Sequence, residues 1–96
     1  MYFVLLYDYV ENIIERRAPF REQHLGHARA AQERGELVLG GAFSDVPDGA
    51  VIVFRAKDQS AVEDFARRDP YVMNGVVTKW RVRPWNVVIG SRYEPD

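Results

Sequence analysis

Two residues offer acid–base chemistry at a spacing that repays attention. His24 lies between Phe20 and Ala28, at i−4 and i+4 of a helical stripe that also takes in Arg17, Arg21, Leu25 and Ala31. Imidazole titrates near neutral pH, so a histidine beside a pocket can both take and return a proton. Asp69 continues a second stripe, Val62, Phe65, Ala66, Asp69, at i, i+3, i+4 and i+7. Two helices on one face of a sheet would then each carry one titratable residue inward. A buried carboxylate is costly unless paired, and His24 is an available partner. Such a pair fixes the tautomer and orientation of the ring, as general acid–base catalysis requires. The same residues also fit plainer roles: a core histidine bonded to a backbone carbonyl, and a helix-end aspartate ahead of a proline.

Other side chains fall near this pair. Arg17 lies seven residues before His24 on the same helical face, where it would hold an anionic substrate by a bidentate contact. It also fits a surface arginine in a frayed turn, and Arg21 is open to the same two readings. Ser44 follows Gly40-Gly41 and would offer a hydroxyl at a pocket rim. Tyr71, two residues after Asp69, would line the same pocket or pack the turn. His27 with His24 invites a metal reading, but two histidines at i, i+3 without a third ligand fall short of a site, so no metal is expected.

The elements that must position these residues follow from pattern. Met1 to Tyr7 is apolar on both alternating faces, which places a strand inside a sheet. A helix is expected from about Pro19 to Arg34, with Gly35 as its stop. Leu37 to Phe43 is a second strand, with Gly40-Gly41 marking a close backbone approach. Ser44 to Gly49 is a connecting loop, and Ala50 to Ala56 is a third strand, again apolar on both faces. Ser60-Ala61-Val62-Glu63 reads as a capping box opening a second helix, which Pro70 ends. A turn from Tyr71 to Gly75 leads to a fourth strand, Val76 to Arg83. Its alternation of Val76, Thr78, Trp80, Val82 with Val77, Lys79, Arg81, Arg83 fits an edge. Trp85 to Ile89 is read as a short fifth strand.

Strand–helix–strand–strand–helix–strand is the split βαβ, ferredoxin-like α+β plan. Its helices cover one sheet face only. The apolar residues on the other face need cover, and a second copy of the chain would supply it; a homodimer through the open sheet face is therefore expected.

Composition bounds the partners. The chain has 96 residues, 47% apolar and 12% aromatic, so a single domain spans it. The formal net charge is −1 and no block of like charges occurs, so nucleic acid is not an expected partner. Lys79, Arg81 and Arg83 beside Trp80 and Trp85 read as a solvated edge. There are no cysteines, which excludes disulfides, thiolate catalysis and Cys-ligated zinc. The apolar run at the N-terminus stops at Asp8, too short for a membrane span or a signal segment, and a cytoplasmic location is expected by default.

These residues carry a family resemblance. Arg17 with His24-Leu25, the stretch from Gly35 through Gly41, Asp69-Pro70-Tyr71-Val72 followed by Gly75, and the closing Val82-Arg83-Pro84-Trp85 resemble the YCII-related (YciI-like) family. The resemblance runs over nearly the whole chain. It implies a dimeric ferredoxin-like fold with α/β-barrel-type association, related to the muconolactone isomerase-like group. It also implies a histidine–aspartate dyad, which maps onto His24 and Asp69. Most members have no established reaction; one type is a dehydrochlorinase acting on a chlorinated hydroxyhydroquinone. The chain departs from many relatives in carrying Ala42 where they have proline.

The functional expectation is a small enzyme using proton transfer, dehydrochlorinase- or isomerase-like. His24 would be the acid–base group, with Asp69 orienting it. Arg17, Ser44 and Tyr71 would contact a small acid, aromatic or lactone-like. That chemistry requires no cofactor. The alternative is a non-catalytic module that binds a metabolite or a partner at the same pocket.

Overall fold

The computed structural model describes residues 1–90, 93 and 95. The elements run β1 (Tyr2–Tyr9), α1 (Ile13–Arg17), a single 3-10 turn (Ala18–Phe20), α2 (Arg21–Glu33), β2 (Leu37–Ala42), β3 (Gly49–Arg55), α3 (Gln59–Arg68), α4 (Pro70–Met73) and β4 (Val77–Trp85). The four strands form one antiparallel sheet in the order β2-β3-β1-β4. This is the α+β ferredoxin-like arrangement. The two strands that are apolar on both faces, β1 and β3, take its centre, and β4 lies at an edge.

Register divides the side chains between the faces. Leu5 stands opposite Ile52 on β3 and Val82 on β4, and Tyr7 opposite Ala50 and Trp80. Phe3, Leu5, Tyr7, Ile52 and Phe54 form the core with Ala31 of α2, Val62, Phe65 and Ala66 of α3, and Tyr71 of α4. All the helical contributions thus meet one face. On the opposite face Val4, Leu6 and Val51 remain half-buried and Leu39 is 57% exposed. Lys79, Arg81 and Arg83 are paired with Asp8, Leu6 and Val4 there, whereas Trp80 packs on the helix side under Arg67. Trp80 therefore lies on the face away from Lys79, Arg81 and Arg83, whereas Trp85, opposite Tyr2, shares theirs.

The helical boundaries differ from the sequence pattern at several places. The first helical region starts earlier than Pro19. Asn12, at φ 59°, turns the chain into α1, and Pro19 sits in the 3-10 turn that joins α1 to α2. Gly35 adopts φ 80° just beyond α2, the left-handed geometry that suits a helix stop. α3, the helix expected to open at Ser60, is capped by Asp58 instead. The Asp58 carboxylate accepts the Ala61 N–H at 3.2 Å and the Ser60 hydroxyl at 2.6 Å, so the residue expected as the cap donates to the real one. The segment after Pro70 forms one helical turn where a plain turn was expected. The fifth strand does not form. Pairing continues along β4 through Pro84 to Trp85, which an edge strand permits because no strand among the described residues lies on its outer side. Residues 86–90 have no regular structure.

Candidate active site

Pro70 determines how Asp69 is presented. A residue before proline is driven out of helical geometry, and Asp69 adopts φ −69°, ψ 123° immediately after α3. Its side chain turns back to cap α4, accepting the Tyr71 N–H on Oδ1 at 3.0 Å. The carboxylate is fully enclosed, with 0% exposure. Two more donors reach it. The Tyr7 hydroxyl, rising from the centre of β1, donates to Oδ2 at 2.7 Å. His24 Nδ1, from the second turn of α2, lies 2.8 Å from Oδ1 and 3.0 Å from Oδ2. Three elements therefore converge on one charge and satisfy it, as a buried carboxylate demands.

The partner fixes the histidine. An ionised carboxylate can only accept, so Nδ1 carries the hydrogen. The ring stacks on Tyr71 with centroids 3.8 Å apart and planes 5° from parallel. Nε2 has no partner among the described residues and is not enclosed. The side chain keeps 13% exposure, through a cavity of about 320 Å³. That cavity is lined by Tyr9, Arg17, Arg21 and Tyr71 near His24, and by Leu25, Ala28, Leu37 and Ile52 beyond it. Gly40, Gly41 and Ala42 of β2 and Ala50 of β3 complete the wall. A Cβ at Gly40 would come within 3.2 Å of the Ile52 side chain, so the glycine keeps this wall open.

Burial raises the phenols around the site. It pushes Tyr7 far above its ordinary value, with the Asp69 carboxylate adding to the effect. Tyr9 is pushed up to about 12, first by burial and then by Tyr71 and Asp69, while Arg17 and Arg21 pull the other way. Tyr71 is raised by burial against the same two arginines. All three are neutral donors at physiological pH.

Of the residues singled out in the sequence, His24, Asp69, Arg17 and Tyr71 come together. Ser44 does not: the strand ends at Ala42, and Ser44 is exposed in the β2–β3 loop away from the cavity wall. His27 turns elsewhere. Its Nε2 lies 2.8 Å from the Phe65 carbonyl, and its ring stacks on Phe65 at 4.4 Å, which ties α2 to α3. Among the described residues no cluster of three metal-ligating side chains occurs. Tyr7 and Tyr9 were absent from the sequence-derived site. A wider recess of about 540 Å³, between residues 10–15 and 46–48, shares only Tyr9 with the His24 cavity and contains no histidine.

Comparison with known proteins bears on this arrangement. The family model of the YCII-related domain matches residues 1–86. The chain belongs to the YCII-related family. A relative from Haemophilus influenzae, of uncharacterised function, is 29% identical over 97 residues, covering 92% of this chain and 99% of its own. Among solved structures, the 5-chloro-2-hydroxyhydroquinone dehydrochlorinase of Burkholderia phenoliruptrix, in complex with 2,5-dihydroxybenzoquinone, superposes with a TM-score of 0.76. It is 17% identical, over 90% of this chain and 94% of that one. An Agrobacterium tumefaciens protein superposes with a TM-score of 0.55 at 14% identity, over 98% and 96% of the two chains. At these identities the structural likeness speaks to fold. No helix among the described residues of this YCII-related chain is long and apolar enough to cross a membrane.

Proposed function

We propose that this YCII-related protein is a small acid–base enzyme in which His24 Nε2 takes and returns the substrate's proton. The observation that carries the reading is the asymmetry of the imidazole. Nδ1 is committed to the buried Asp69 carboxylate, and Nε2 is left open to a cavity. Asp69 lies behind the ring and off the cavity wall, so it acts through His24: it holds the tautomer and stabilises the imidazolium formed in the reaction. Tyr7 and the Tyr71 N–H hold the carboxylate in turn. Tyr71 supports the ring from its flat side, and Arg17 offers a charge for the substrate's oxygen. The substrate class is a small acid, aromatic or lactone-like, and the reaction an elimination or isomerisation that needs no cofactor. The dehydrochlorinase named above, which shares the fold, supports chemistry of this type.

A screen of chlorinated and unsubstituted hydroxyquinols, aromatic acids and lactones for turnover tests the reading. On the substrate found, His24→Ala should lower kcat by about 10²–10⁴-fold, the usual worth of a positioned acid–base group. Unchanged turnover in that variant ends the proposal, and saturable binding with no turnover of any compound favours the metabolite-binding alternative.

The reading includes a second copy of the chain on the open sheet face. Val4, Leu6 and Val51 there are only half-covered and Leu39 is exposed. Sedimentation at micromolar concentration should give a dimer, and Leu6→Lys should shift it to a monomer. A monomer in the unsubstituted protein refutes this association.

A further inference from the structure

Three polar groups on the cavity wall beside His24 hold nothing. Neither Arg17 nor Arg21 has a hydrogen bond or ion pair with any described residue, and the Tyr9 hydroxyl has no partner among them. Arg17 is half-buried, so its charge is partly withdrawn from water without a counter-charge. Both guanidinium groups act on the Tyr9 and Tyr71 phenols, which locates their charge at this end of the cavity. Tyr9 is tied to the dyad by packing: its ring meets Tyr71 edge-on at 6.3 Å, and Tyr71 stacks on His24 at 3.8 Å.

The wall changes character along α2. Arg17, Arg21 and Tyr9 form one end, His24 follows, and Leu25, Ala28, Leu37 and Ile52 form the other. At 1.5 Å per residue, His24 is about 4.5 Å further along the helix axis than Arg21. A ligand that fills the cavity is therefore oriented, with its charge at one end, its apolar body at the other, and the imidazole nitrogen between them.

We propose that Tyr9, Arg17 and Arg21 form an oxyanion subsite, and that it selects small planar acids whose charged or enolisable oxygen lies a few bonds from the carbon that reacts. The catalytic consequence rests on the acid–base reading of His24; the binding does not. In the reaction, His24 Nε2 removes a proton from a carbon conjugated with the held C=O. The C–H electron pair moves into that system and places negative charge on the oxygen, giving an enolate. The Tyr9 O–H and the two guanidinium groups donate to that oxygen as its charge grows, the general device of oxyanion stabilisation. The pair then returns to carbon. It either takes the proton back from the imidazolium at a conjugated position, which is an isomerisation, or expels an anion such as halide from the adjacent carbon, which is an elimination. After elimination the imidazolium releases its proton to solvent. Tyr9 and Arg21 thereby join the site as substrate-binding residues, and Arg17 acquires a neighbour with the same task.

Binding tests the subsite separately from turnover. Benzoate and benzamide have nearly the same shape and differ in charge. Each is titrated into the protein while the backbone amide resonances of residues 21–28 and 71 are followed. Benzoate should shift them saturably and benzamide should bind at least tenfold more weakly. Arg21→Gln should weaken benzoate roughly tenfold, the scale of one charge-assisted hydrogen bond. The double variant Arg17→Gln/Arg21→Gln should reduce benzoate to the level of benzamide, and Tyr9→Phe should weaken it by a smaller factor. In His24→Ala, benzoate should still bind, so loss of the enzymatic reading would leave the subsite standing. Equal affinity for the two probes, absence of benzoate binding, or undiminished benzoate affinity in the double arginine variant overturns the proposal.

Discussion

Asp69→Asn should give a folded protein whose turnover is slower by about 10⁴-fold, the scale seen when the carboxylate that orients a catalytic histidine becomes an amide. The reason lies in the donors that surround it. Tyr7 O–H, the Tyr71 N–H and His24 Nδ1 all point at acceptor oxygens. An amide offers one acceptor and two N–H donors. If its oxygen stays on the Tyr71 N–H, that oxygen also lies 2.8 Å from Nδ1, while the amide nitrogen faces the Tyr7 hydroxyl and lies 3.0 Å from the ring, so the imidazole meets an acceptor and a competing N–H donor side by side. The hydroxyl can rotate and accept. The imidazole can accept on Nδ1 only by moving its hydrogen to Nε2, and that blocks the nitrogen facing the cavity. The amide also carries no charge with which to stabilise an imidazolium. The nitrogen-15 shifts of the ring report the tautomer directly, and should show an added population protonated on Nε2 in the variant. Asp69→Ala should act on the fold as well, because it leaves Tyr7 and His24 with no acceptor in an enclosed space. A loss of about 3–5 kcal/mol is expected, the cost of breaking a buried pair by removing one partner. Asp69→Asn turning over within threefold of the unsubstituted protein would remove Asp69 from the mechanism. An alanine variant with an unchanged urea midpoint would contradict the account of its burial.

The sequence and the structure agree most closely where apolar pattern governs. Two strands apolar on both faces had to lie inside the sheet, and the alternation of β4 had to lie at an edge. His24 is legible for the same reason, since it interrupts an apolar stripe. Asp69 reaches the predicted neighbourhood by another route. Spacing assigned it to the inward stripe of α3, but Pro70 forces it out of that helix, and its side chain faces inward as the cap of the next one. Tyr7 illustrates what pattern does not carry. It shares its parity with Phe3 and Leu5, so the alternation records only that it faces the core. That an enclosed phenol needs an acceptor is the available signal, and it points to Asp69, the one enclosed carboxylate among the described residues. Tyr9 and Arg21 depend on how the chain turns between β1 and α2. The left-handed residue there is Asn12, whose φ of 59° a glycine would have announced and an asparagine does not. Ser60 and Ser44 mark the opposite difficulty. A capping-box pattern begins at Ser60, but the Asp58 carboxylate takes the Ala61 N–H and the Ser60 hydroxyl itself, and the rim that the glycine pair marks ends before Ser44.

Alkaline pH should destabilise the fold steeply, and the tyrosines of the site are the cause. The unfolded chain ionises its phenols at the ordinary value of 10.0, whereas Tyr7 is held far above that and Tyr9 at about 12. A group that keeps its proton longer in the folded state contributes fully below the unfolded value. Its contribution is lost as pH rises from there toward the folded value. Each such phenol costs about 1.4 kcal/mol per pH unit in that window, so Tyr7 and Tyr9 together remove about 3 kcal/mol per unit. Tyr71, raised in the same direction, steepens the fall. Over the two units from pH 10 to pH 12 this amounts to about 6 kcal/mol, the whole margin of a domain at the low end of the usual range of about 5–15 kcal/mol and less than half of it at the high end. Urea midpoints measured from pH 8 to pH 12 should be level at first and then decline from about pH 10. Tyr7→Phe separates the hydrogen bond from the titration. At pH 8 the variant should be less stable by about 1–3 kcal/mol, because Asp69 loses a donor in an enclosed site. Above pH 10 it should lose stability more slowly, since one of the protected protons is absent. The two curves therefore converge as pH rises. Parallel curves would show that the Tyr7 phenol ionises as it does in water, and the enclosed Tyr7–Asp69–His24 chain would then not be the unit that this geometry describes.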